Sequence, residues 1–314
     1  MKGKILLIDT VHLVLQEIFE KNDFRCDVFY GKSKEELLNI ISNYDGAIIR
    51  SKIIFDKTLI QRANNLKFIG RVGAGMENID IEFAKSKNIL CFNSPEGNRD
   101  AVGEHALGII LCLLNKICIA NIEVRKGIWQ RESNWGTEIK GKTFGIIGYG
   151  NMGSAFAEKL KGFSCNVIAY DKYKQGFQNE FVKEVTLNQL FEQTDIFSIH
   201  VPQTQETIKM VDATFINAFK KEIFLINTAR GKIVNTEHLV EAMKTGKIKG
   251  VALDVLEYEK FSFEEINKDE IPQAFQYLIN SDKAILTPHI AGWTFESHKK
   301  MAQFLAEKII SKYN

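Results

Sequence analysis

The sequence is short of the residues that mark fibrous, disordered or nucleic-acid-binding proteins. Its 314 residues include only four prolines and 22 glycines, too few for a fibrous or disordered chain. The formal net charge at pH 7 is +2, which supplies neither a basic field for nucleic acid nor an acidic tail. We therefore expect a globular protein with no nucleic-acid partner.

Cysteines and long apolar runs are also scarce. The five cysteines are scattered and form no CxxC pair, which is typical of reduced thiols in a cytoplasmic protein and not of a disulfide framework or a zinc site. The apolar run 5–8 is too short for a signal peptide, and the run 109–114 is too short to span a bilayer. The sequence thus predicts a cytoplasmic protein with no metal site and no membrane partner.

Short β-like runs alternate with helical patterns along the whole chain. A chain of this length forms about two domains, and the alternation predicts parallel sheets with helices on both faces. The predicted strands of a first series are residues 4–8, 25–29, 46–49, 66–70 and 89–92, and its predicted helices are residues 13–21, 34–42, 56–63 and 81–87. The predicted strands of a second series are residues 143–147, 166–170, 196–200, 223–226, 250–253 and 284–286.

Two further helices are predicted outside these series. One covers residues 101–126, between the two series. Its centre is apolar on all sides, which favours burial between two domains. The other covers residues 296–312 and follows the second series.

A glycine pattern opens the second series. Gly148, Gly150 and Gly153 form GxGxxG directly after a predicted strand and at the start of a helical pattern. The first glycine permits a tight turn, the second lets a pyrophosphate approach the backbone, and the third lets helix and strand pack closely. The helix N–H groups then face the anion. This arrangement predicts a dinucleotide site that also includes Asn151 and Met152.

An aspartate in the same region indicates which dinucleotide is bound. Asp171 follows the next predicted strand, 18 residues after Gly153. A carboxylate at this place accepts hydrogen bonds from the adenosine ribose and repels a 2′-phosphate, which favours NAD over NADP. The alternative is a glycine-rich turn with a surface aspartate, but the strand, the helix and the acid are all in register for the cofactor.

Three kinds of chemical side chain follow three predicted strands of the second series: Arg230, the acids Glu257 and Glu259, and His289. Ligands of open parallel sheets lie beyond the carboxyl ends of the strands. Hydride transfer at a carbinol carbon needs a base, for which histidine is suited, and a carboxylate that orients the imidazole. A guanidinium binds a substrate carboxylate through two parallel hydrogen bonds. Each residue alone could be a surface ion pair or a loop residue, and their joint placement favours catalysis.

The sequence resembles the D-isomer-specific 2-hydroxyacid dehydrogenases over nearly its whole length. The matching stretches are GIIGYGNMG at 145–153, NTARGKIV at 227–234, ALDVLEYE at 252–259 and LTPH at 286–289. The resemblance implies that Arg230, Glu259 and His289 form the catalytic set, with Glu259 selected over Glu257. We expect the Glu259 carboxylate to contact the His289 ring.

The resemblance also implies the organisation of the chain and of the cofactor site. It implies a flavodoxin-like substrate domain, residues 1–98 plus 290–314, into which a Rossmann domain for NAD, residues 99–289, is inserted. Beyond the glycine loop and Asp171, the residues that it assigns to NAD are His200, Val201, Pro202, Thr228, Ala229 and Asp254.

Three features depart from the pattern of the family. Lys260 stands where proline usually follows the catalytic glutamate, and Ala74 stands where the family often has threonine. The segment 261–282 is longer than usual, and its aromatic and acidic content suggests an extra helix or a surface flap.

Two loops of the first series are predicted to bind the substrate. Arg50, Ser51 and Lys52 follow one strand and offer two cations and a hydroxyl, and the turn Val72-Gly73-Ala74 after the next strand offers backbone N–H groups to an anion. Ordinary surface turns are the alternative. Both loops resemble those of 3-phosphoglycerate dehydrogenases, whereas the Tyr-Ser-Pro run of D-lactate dehydrogenases is absent near Ser94.

The sequence therefore predicts an NAD-dependent dehydrogenase, a homodimer, that interconverts a D-2-hydroxy acid and a 2-keto acid. The resemblance implies 3-phosphoglycerate and 3-phosphohydroxypyruvate, hence serine biosynthesis, in a short enzyme without a C-terminal regulatory domain. A reductase of hydroxypyruvate or glyoxylate is the nearest alternative. An NAD(H)-sensing protein that resembles corepressors is another, and turnover would distinguish it from an enzyme.

Overall fold

The computed structural model describes residues 2–259 and 271–313. Within them the chain divides into two compact units. The first unit runs to Arg99 and resumes at Trp293, and the second spans Asp100–Gly292. The predicted domain boundaries, after residues 98 and 289, lie one and three residues from these divisions.

The first unit contains a parallel sheet that, among its described residues, has five strands in the order β2-β1-β3-β4-β5. The strands are β1 (Gly3–Leu7), β2 (Phe24–Val28), β3 (Gly46–Ile49), β4 (Phe68–Arg71) and β5 (Leu90–Asn93). The helices are α1 (Leu13–Lys21), α2 (Lys34–Ile40), α3 (Lys57–Arg62), α4 (Ile81–Ser86) and the C-terminal helix (Phe295–Tyr313). This is the flavodoxin strand order, whose ligand crevice lies between β1 and β3, and it confirms the predicted fold class.

Both faces of this sheet are covered by helices because its strands are apolar on both sides. Leu6 packs in the cluster with Leu37 and Leu59 of α2 and α3. The neighbouring residue Leu7 points to the other face and packs with Phe19 of α1 and Leu305 of the C-terminal helix. A continuous apolar strand buried on both faces is typical of parallel sheets.

The second unit contains a parallel sheet that, over the described residues, has seven strands in the order β12-β11-β10-β9-β6-β7-β8. The strands are β6 (Thr143–Ile147), β7 (Asn166–Tyr170), β8 (Val182–Glu184), β9 (Ile196–Ile199), β10 (Ile223–Asn227), β11 (Ile248–Leu253) and β12 (Ala284–Leu286). The helices are α5 (Arg99–Leu114), α6 (Ile117–Arg125), α7 (Asn151–Lys159), α8 (Leu187–Gln193), α9 (Ala213–Ala218), α10 (Thr236–Lys244) and α11 (Gln273–Ile279). The order reverses between β6 and β9, so the ligand crevice of this Rossmann sheet lies at their carboxyl ends.

The prediction of one helix over residues 101–126 is wrong. The helix breaks after Leu114, where Lys116 has the left-handed φ of 53°, and α5 and α6 meet at 62°. The N–H of Lys116 bonds to the carbonyl of Leu113, three residues back, which tightens the last turn of α5. The apolar pattern continues across the break and therefore does not reveal it.

Three helices and one strand of the second unit were not predicted, namely α8, α9, α10 and β8. An extra helix or a surface flap was predicted in the segment 261–282, and α11 lies in its last part. Residues 260–270 lie outside the described residues. They include Lys260 and the first part of the segment 261–282, so the prediction for that part is not tested. Across the described helices, none is by itself long and apolar enough to cross a membrane; α5 and α6 satisfy that test only when combined.

Candidate active site

The three glycines after β6 occupy three different environments. Gly148 has a φ of +88°, and a Cβ there would lie 2.6 Å from the carbonyl oxygen of His200. A Cβ on Gly153 would lie 2.0 Å from the carbonyl oxygen of Gly148. Gly150 instead has no heavy atom within 4 Å of its Cβ position. Two glycines thus permit close packing, and the middle one leaves open space above the backbone.

The N-terminus of α7 fits the phosphates of a dinucleotide. The helix begins at Asn151, and its N-cap residue, Gly150, supplies no side chain to bond the first-turn N–H groups. The first N–H groups of a helix have no partners within the helix, and they favour anions. The glycine turn places this end of α7 beside the crevice between β6 and β9, where a pyrophosphate would bind.

Two buried polar atoms near this crevice lack hydrogen-bond partners among the described residues. They are Nδ1 of His200, after β9, and Oγ1 of Thr228, after β10. Nε2 of His200 bonds to Ser198 Oγ over 2.8 Å. Burial lowers the pKa of His200 to about 3, so the ring is neutral at ordinary pH. Unpaired buried polar groups are rare without a ligand or water, and both residues are among those predicted to bind NAD.

Asp171 is held at the end of β7 by backbone N–H groups. Its carboxylate accepts from Tyr149 N over 2.7 Å and from Tyr173 N and Lys174 N over 2.9 Å each. Sequence reasoning missed Glu206, which pairs with Lys172 and accepts from Tyr173 Oη over 2.6 Å. The three backbone N–H groups therefore fix the Asp171 carboxylate at the position expected for a ribose contact.

His289 and Glu259 form the expected contact. His289 Nδ1 lies 2.7 Å from Glu259 Oε2, and the side chains are 22% and 13% exposed. A carboxylate can only accept, so Nδ1 donates and Nε2 is the ring nitrogen that can exchange a proton with a substrate. The other Glu259 oxygen accepts from Leu256 N. This arrangement can take up or release a proton at Nε2.

Glu257 makes different contacts, although it lies only two residues away. Its carboxylate accepts from the N–H and hydroxyl of Thr236, over 3.0 and 2.9 Å, and pairs with Lys209 at 3.3 Å. It therefore binds the start of α10, whereas Glu259 binds His289.

Arg230 lies on a turn that packs against the segment leading to Glu259. Asn227 holds this turn, because its side chain accepts from Ala229 N and donates to the carbonyl of Arg230, each over 3.0 Å. A Cβ on Gly231 would lie 2.0 Å from the main chain of Leu256. Only glycine allows this approach, which brings the turn of Arg230 and the loop of Glu259 together.

Asp254 is completely buried and bonds to the loop that carries His289. It accepts from Thr287 Oγ1 over 2.6 Å and from the N–H groups of Ile290 and Ala291 over 2.9 and 2.8 Å. Burial acts to raise its pKa, but hydrogen bonds from His105, Thr287 and these N–H groups hold the pKa below its usual value. Asp254 is therefore ionised, and its predicted role toward NAD stays a prediction.

The residues predicted to bind the substrate lie in the first unit. Arg50, Ser51 and Lys52 follow β3, and Val72, Gly73 and Ala74 follow β4. The N–H of Arg50 donates to Asp9 over 2.5 Å, and its guanidinium stacks on Trp293 at 5.1 Å. The carboxyl ends of β1 and β3 are the expected ligand crevice of this sheet.

Two histidines beside Arg50 were missed by sequence reasoning. The rings of His12 and His298 lie 5.5 Å apart. Burial, the Arg50 charge and His12 lower the pKa of His298. These side chains come from distant segments, so no local pattern indicates that they lie together.

Known proteins resemble this chain in sequence and structure. The model of the D-isomer specific 2-hydroxyacid dehydrogenase, NAD binding domain, matches residues 107–291. The D-3-phosphoglycerate dehydrogenase of Archaeoglobus fulgidus is 36% identical over 310 residues, which are 98% of this chain and 57% of that protein. The hydroxypyruvate reductase of Thermotoga maritima is 34% identical over 279 residues, 89% of this chain and 88% of that protein.

A solved structure shows the same fold. The D-lactate dehydrogenase of Aquifex aeolicus, complexed with NAD and lactic acid, superposes with a TM-score of 0.82 at 27% identity, covering 98% of this chain and 95% of that one. By contrast, this chain spans a little more than half the length of the phosphoglycerate dehydrogenase from Archaeoglobus fulgidus, at 57%.

Proposed function

Because the chain belongs to the D-isomer specific 2-hydroxyacid dehydrogenases and carries their NAD-binding domain, we propose that it interconverts a D-2-hydroxy acid and its 2-keto acid. The observation that carries the proposal is the 2.7 Å contact between His289 and Glu259, beside the turn of Arg230. NAD, when bound, accepts the hydride from C2 of the hydroxy acid or returns it as NADH.

The three residues have separate tasks in this proposal. In oxidation, His289 Nε2 takes the hydroxyl proton while C2 loses its hydride and the C2–O bond becomes a carbonyl; in reduction, it returns that proton. Glu259 keeps Nδ1 protonated and stabilises the imidazolium. Arg230 binds the substrate carboxylate through two hydrogen bonds and thereby orients C2.

The proposed cofactor site begins at the glycine turn and the N-terminus of α7. The N–H groups of Gly150, Asn151, Met152 and Gly153 would hold the pyrophosphate, and Asp171 would accept hydrogen bonds from the adenosine ribose. His200, Val201, Pro202, Thr228, Ala229 and Asp254 would form the part of the site toward the nicotinamide. The unpaired atoms of His200 and Thr228 support this assignment.

We propose 3-phosphoglycerate and 3-phosphohydroxypyruvate as the substrate pair, a reaction of serine biosynthesis. Arg50, Ser51 and Lys52, with the turn Val72-Gly73-Ala74, would bind the phosphate. The similarity to phosphoglycerate dehydrogenases and the two cationic side chains after β3, Arg50 and Lys52, support this choice. Hydroxypyruvate or glyoxylate is the second candidate for the keto acid. It is supported by the alignment of this chain with 88% of the length of the hydroxypyruvate reductase from Thermotoga maritima.

A homodimer and a cytoplasmic location are part of the same proposal. Six apolar residues on α6 and the following loop are each at least 41% exposed, and a partner subunit would cover exposed apolar residues of this kind. They are Ile117, Ile122, Val124, Ile128, Trp129 and Trp135. All five cysteines are free thiols, in keeping with a reducing compartment. Sedimentation equilibrium should give twice the chain mass, and Ile122→Glu should shift it toward the monomer.

The proposed reaction is tested by NADH oxidation with phosphohydroxypyruvate, hydroxypyruvate, glyoxylate, pyruvate and 2-oxoglutarate. We expect turnover with at least one, and the highest kcat/KM with phosphohydroxypyruvate. A protein that binds NADH but turns over none of them would be an NAD(H) sensor, and the proposal would be wrong. Equal kcat/KM for phosphohydroxypyruvate and hydroxypyruvate would show that the protein does not recognise the substrate phosphate.

A further inference from the structure

The loop that carries His289 is fixed by a buried hydrogen-bond network. Thr287 Oγ1 and the N–H groups of Ile290 and Ala291 all donate to the carboxylate of Asp254, over 2.6, 2.9 and 2.8 Å. The N–H of His289 itself donates to the main-chain oxygen of Asp254 over 2.7 Å. One aspartate thus binds four residues of this loop, through its side chain and its backbone.

His105, in the second turn of α5, completes this network. Its Nε2 lies 3.1 Å from Thr287 Oγ1 and 3.3 Å from Asp254 Oδ1. The one hydroxyl proton of Thr287 is donated to Asp254, and the ionised carboxylate has no proton to give. Nε2 of His105 therefore carries a proton and donates it toward both oxygens.

The conformation of His289 explains why such a network is needed. The residue has a φ of +56°, in the left-handed region that is unfavourable for a side chain with a Cβ. Such a conformation persists only where the surrounding structure holds it. If the loop were released, the backbone of His289 could leave this conformation and its ring would turn from Glu259.

We propose that His105 is a positioning residue for His289, acting through Thr287 and Asp254. Its imidazole keeps the loop 287–291 in the one arrangement that places the His289 ring on Glu259. The kinetic part of this inference rests on the proposed function, because it takes His289 to be the acid–base group. The structural part, the fixing of the loop, does not.

The kinetic test compares two substitutions of His105. His105→Leu removes the donor, whereas His105→Gln keeps an N–H group at a similar reach. Because a shift of about 1 Å in a catalytic group costs up to about 100-fold, we expect kcat to fall about 10- to 100-fold in His105→Leu. KM for the keto acid and the Kd of NADH should stay within about twofold, and His105→Gln should recover most of kcat.

Two further variants separate positioning from general damage. His238 is a helical histidine of the same unit whose Nδ1 accepts from Ala213 N at 3.2 Å, and His238→Leu should leave kcat unchanged. Thr287→Val removes the hydroxyl that His105 contacts. Its loss in kcat should not add to that of His105→Leu, since members of one hydrogen-bond network are coupled.

Amide hydrogen exchange tests the loop without any turnover. In His105→Leu, the N–H groups of Ile290 and Ala291 should exchange at least about tenfold faster, while those of β6 keep their rates. Absence of turnover in the wild type would overturn the proposed function. The exchange rates of Ile290 and Ala291 would still test whether His105 fixes the loop. Unchanged exchange in His105→Leu, failure of His105→Gln to recover kcat, or parallel losses in kcat and NADH affinity would each overturn the positioning role.

Discussion

Alanine substitutions at Gly153 and Gly150 should affect different properties. Gly153→Ala should lower mainly the stability of the protein, and Gly150→Ala should lower mainly its affinity for the cofactor. The Cβ of Gly153→Ala would lie 2.0 Å from a backbone carbonyl oxygen, which cannot move aside cheaply. Overpacking of this kind costs about 1–3 kcal/mol. For a unit of this size, that cost corresponds to a fall in Tm of roughly 2–12 °C.

Gly150→Ala is the matched control because its Cβ meets no heavy atom within 4 Å. Alanine is less favourable than glycine at an N-cap by roughly 0.5–1 kcal/mol, so Tm should fall by only roughly 1–4 °C. The new methyl group would instead occupy the space through which the pyrophosphate approaches the backbone. Loss of one hydrogen bond to a charged group costs about 1.5–3 kcal/mol, so NADH should bind roughly 10- to 100-fold more weakly.

Differential scanning fluorimetry without cofactor and titration of NADH fluorescence measure the two effects separately. We expect Gly153→Ala to lose mainly stability and Gly150→Ala to lose mainly NADH affinity. A Gly153→Ala protein with the Tm of the wild type would refute the close approach of helix and strand. A Gly150→Ala protein with undiminished NADH affinity would refute the placement of the pyrophosphate.

Three other substitutions test the cofactor, the substrate and the proton. Asp171→Asn removes the charge that repels a 2′-phosphate, so the ratio of NADPH to NADH dissociation constants should fall about tenfold or more; an unchanged ratio would mean that another group selects NAD. Arg50→Ala should raise KM for phosphohydroxypyruvate far more than for hydroxypyruvate, and equal losses would show that Arg50 does not read the phosphate. Glu259→Gln removes the negative charge beside the ring that gains a proton during oxidation, so kcat for oxidation should fall about tenfold or more; an unchanged kcat would exclude Glu259 as the partner.

Local signals in the sequence were sufficient for most of the sheet. The bounds predicted for β3, β6, β7 and β12 are those observed, because each is a short apolar run between polar or turn-forming residues. β8 was missed because two of its three residues, Lys183 and Glu184, are charged, so it shows no apolar run, whereas the equally short β12 is entirely apolar. The break at Lys116 was missed because one left-handed residue leaves the apolar pattern of a helix unchanged.

The candidate site was predictable where its residues are close in sequence, where they follow neighbouring strands of one sheet, or where the resemblance to the family assigned them. The glycine loop is contiguous, so its three environments could be assigned in advance. The choice of Glu259 over Glu257 came from the resemblance, since spacing alone does not show that Glu257 turns toward Thr236. His105 could not be predicted, because its contacts are with Asp254 and Thr287, which are separated from it in the sequence by 149 and 182 positions.

We propose that His289 transfers the proton, while NAD is bound by other residues, those of the glycine loop and its neighbours. The most direct test is to measure keto-acid reduction and NADH affinity together in the wild type and in His289→Asn. We expect turnover by the wild type, a loss of about 100-fold or more in kcat in the variant, and an NADH Kd within about twofold of the wild-type value. A variant that retains the wild-type kcat, or one whose loss is explained by weaker NADH binding, would contradict the proposal.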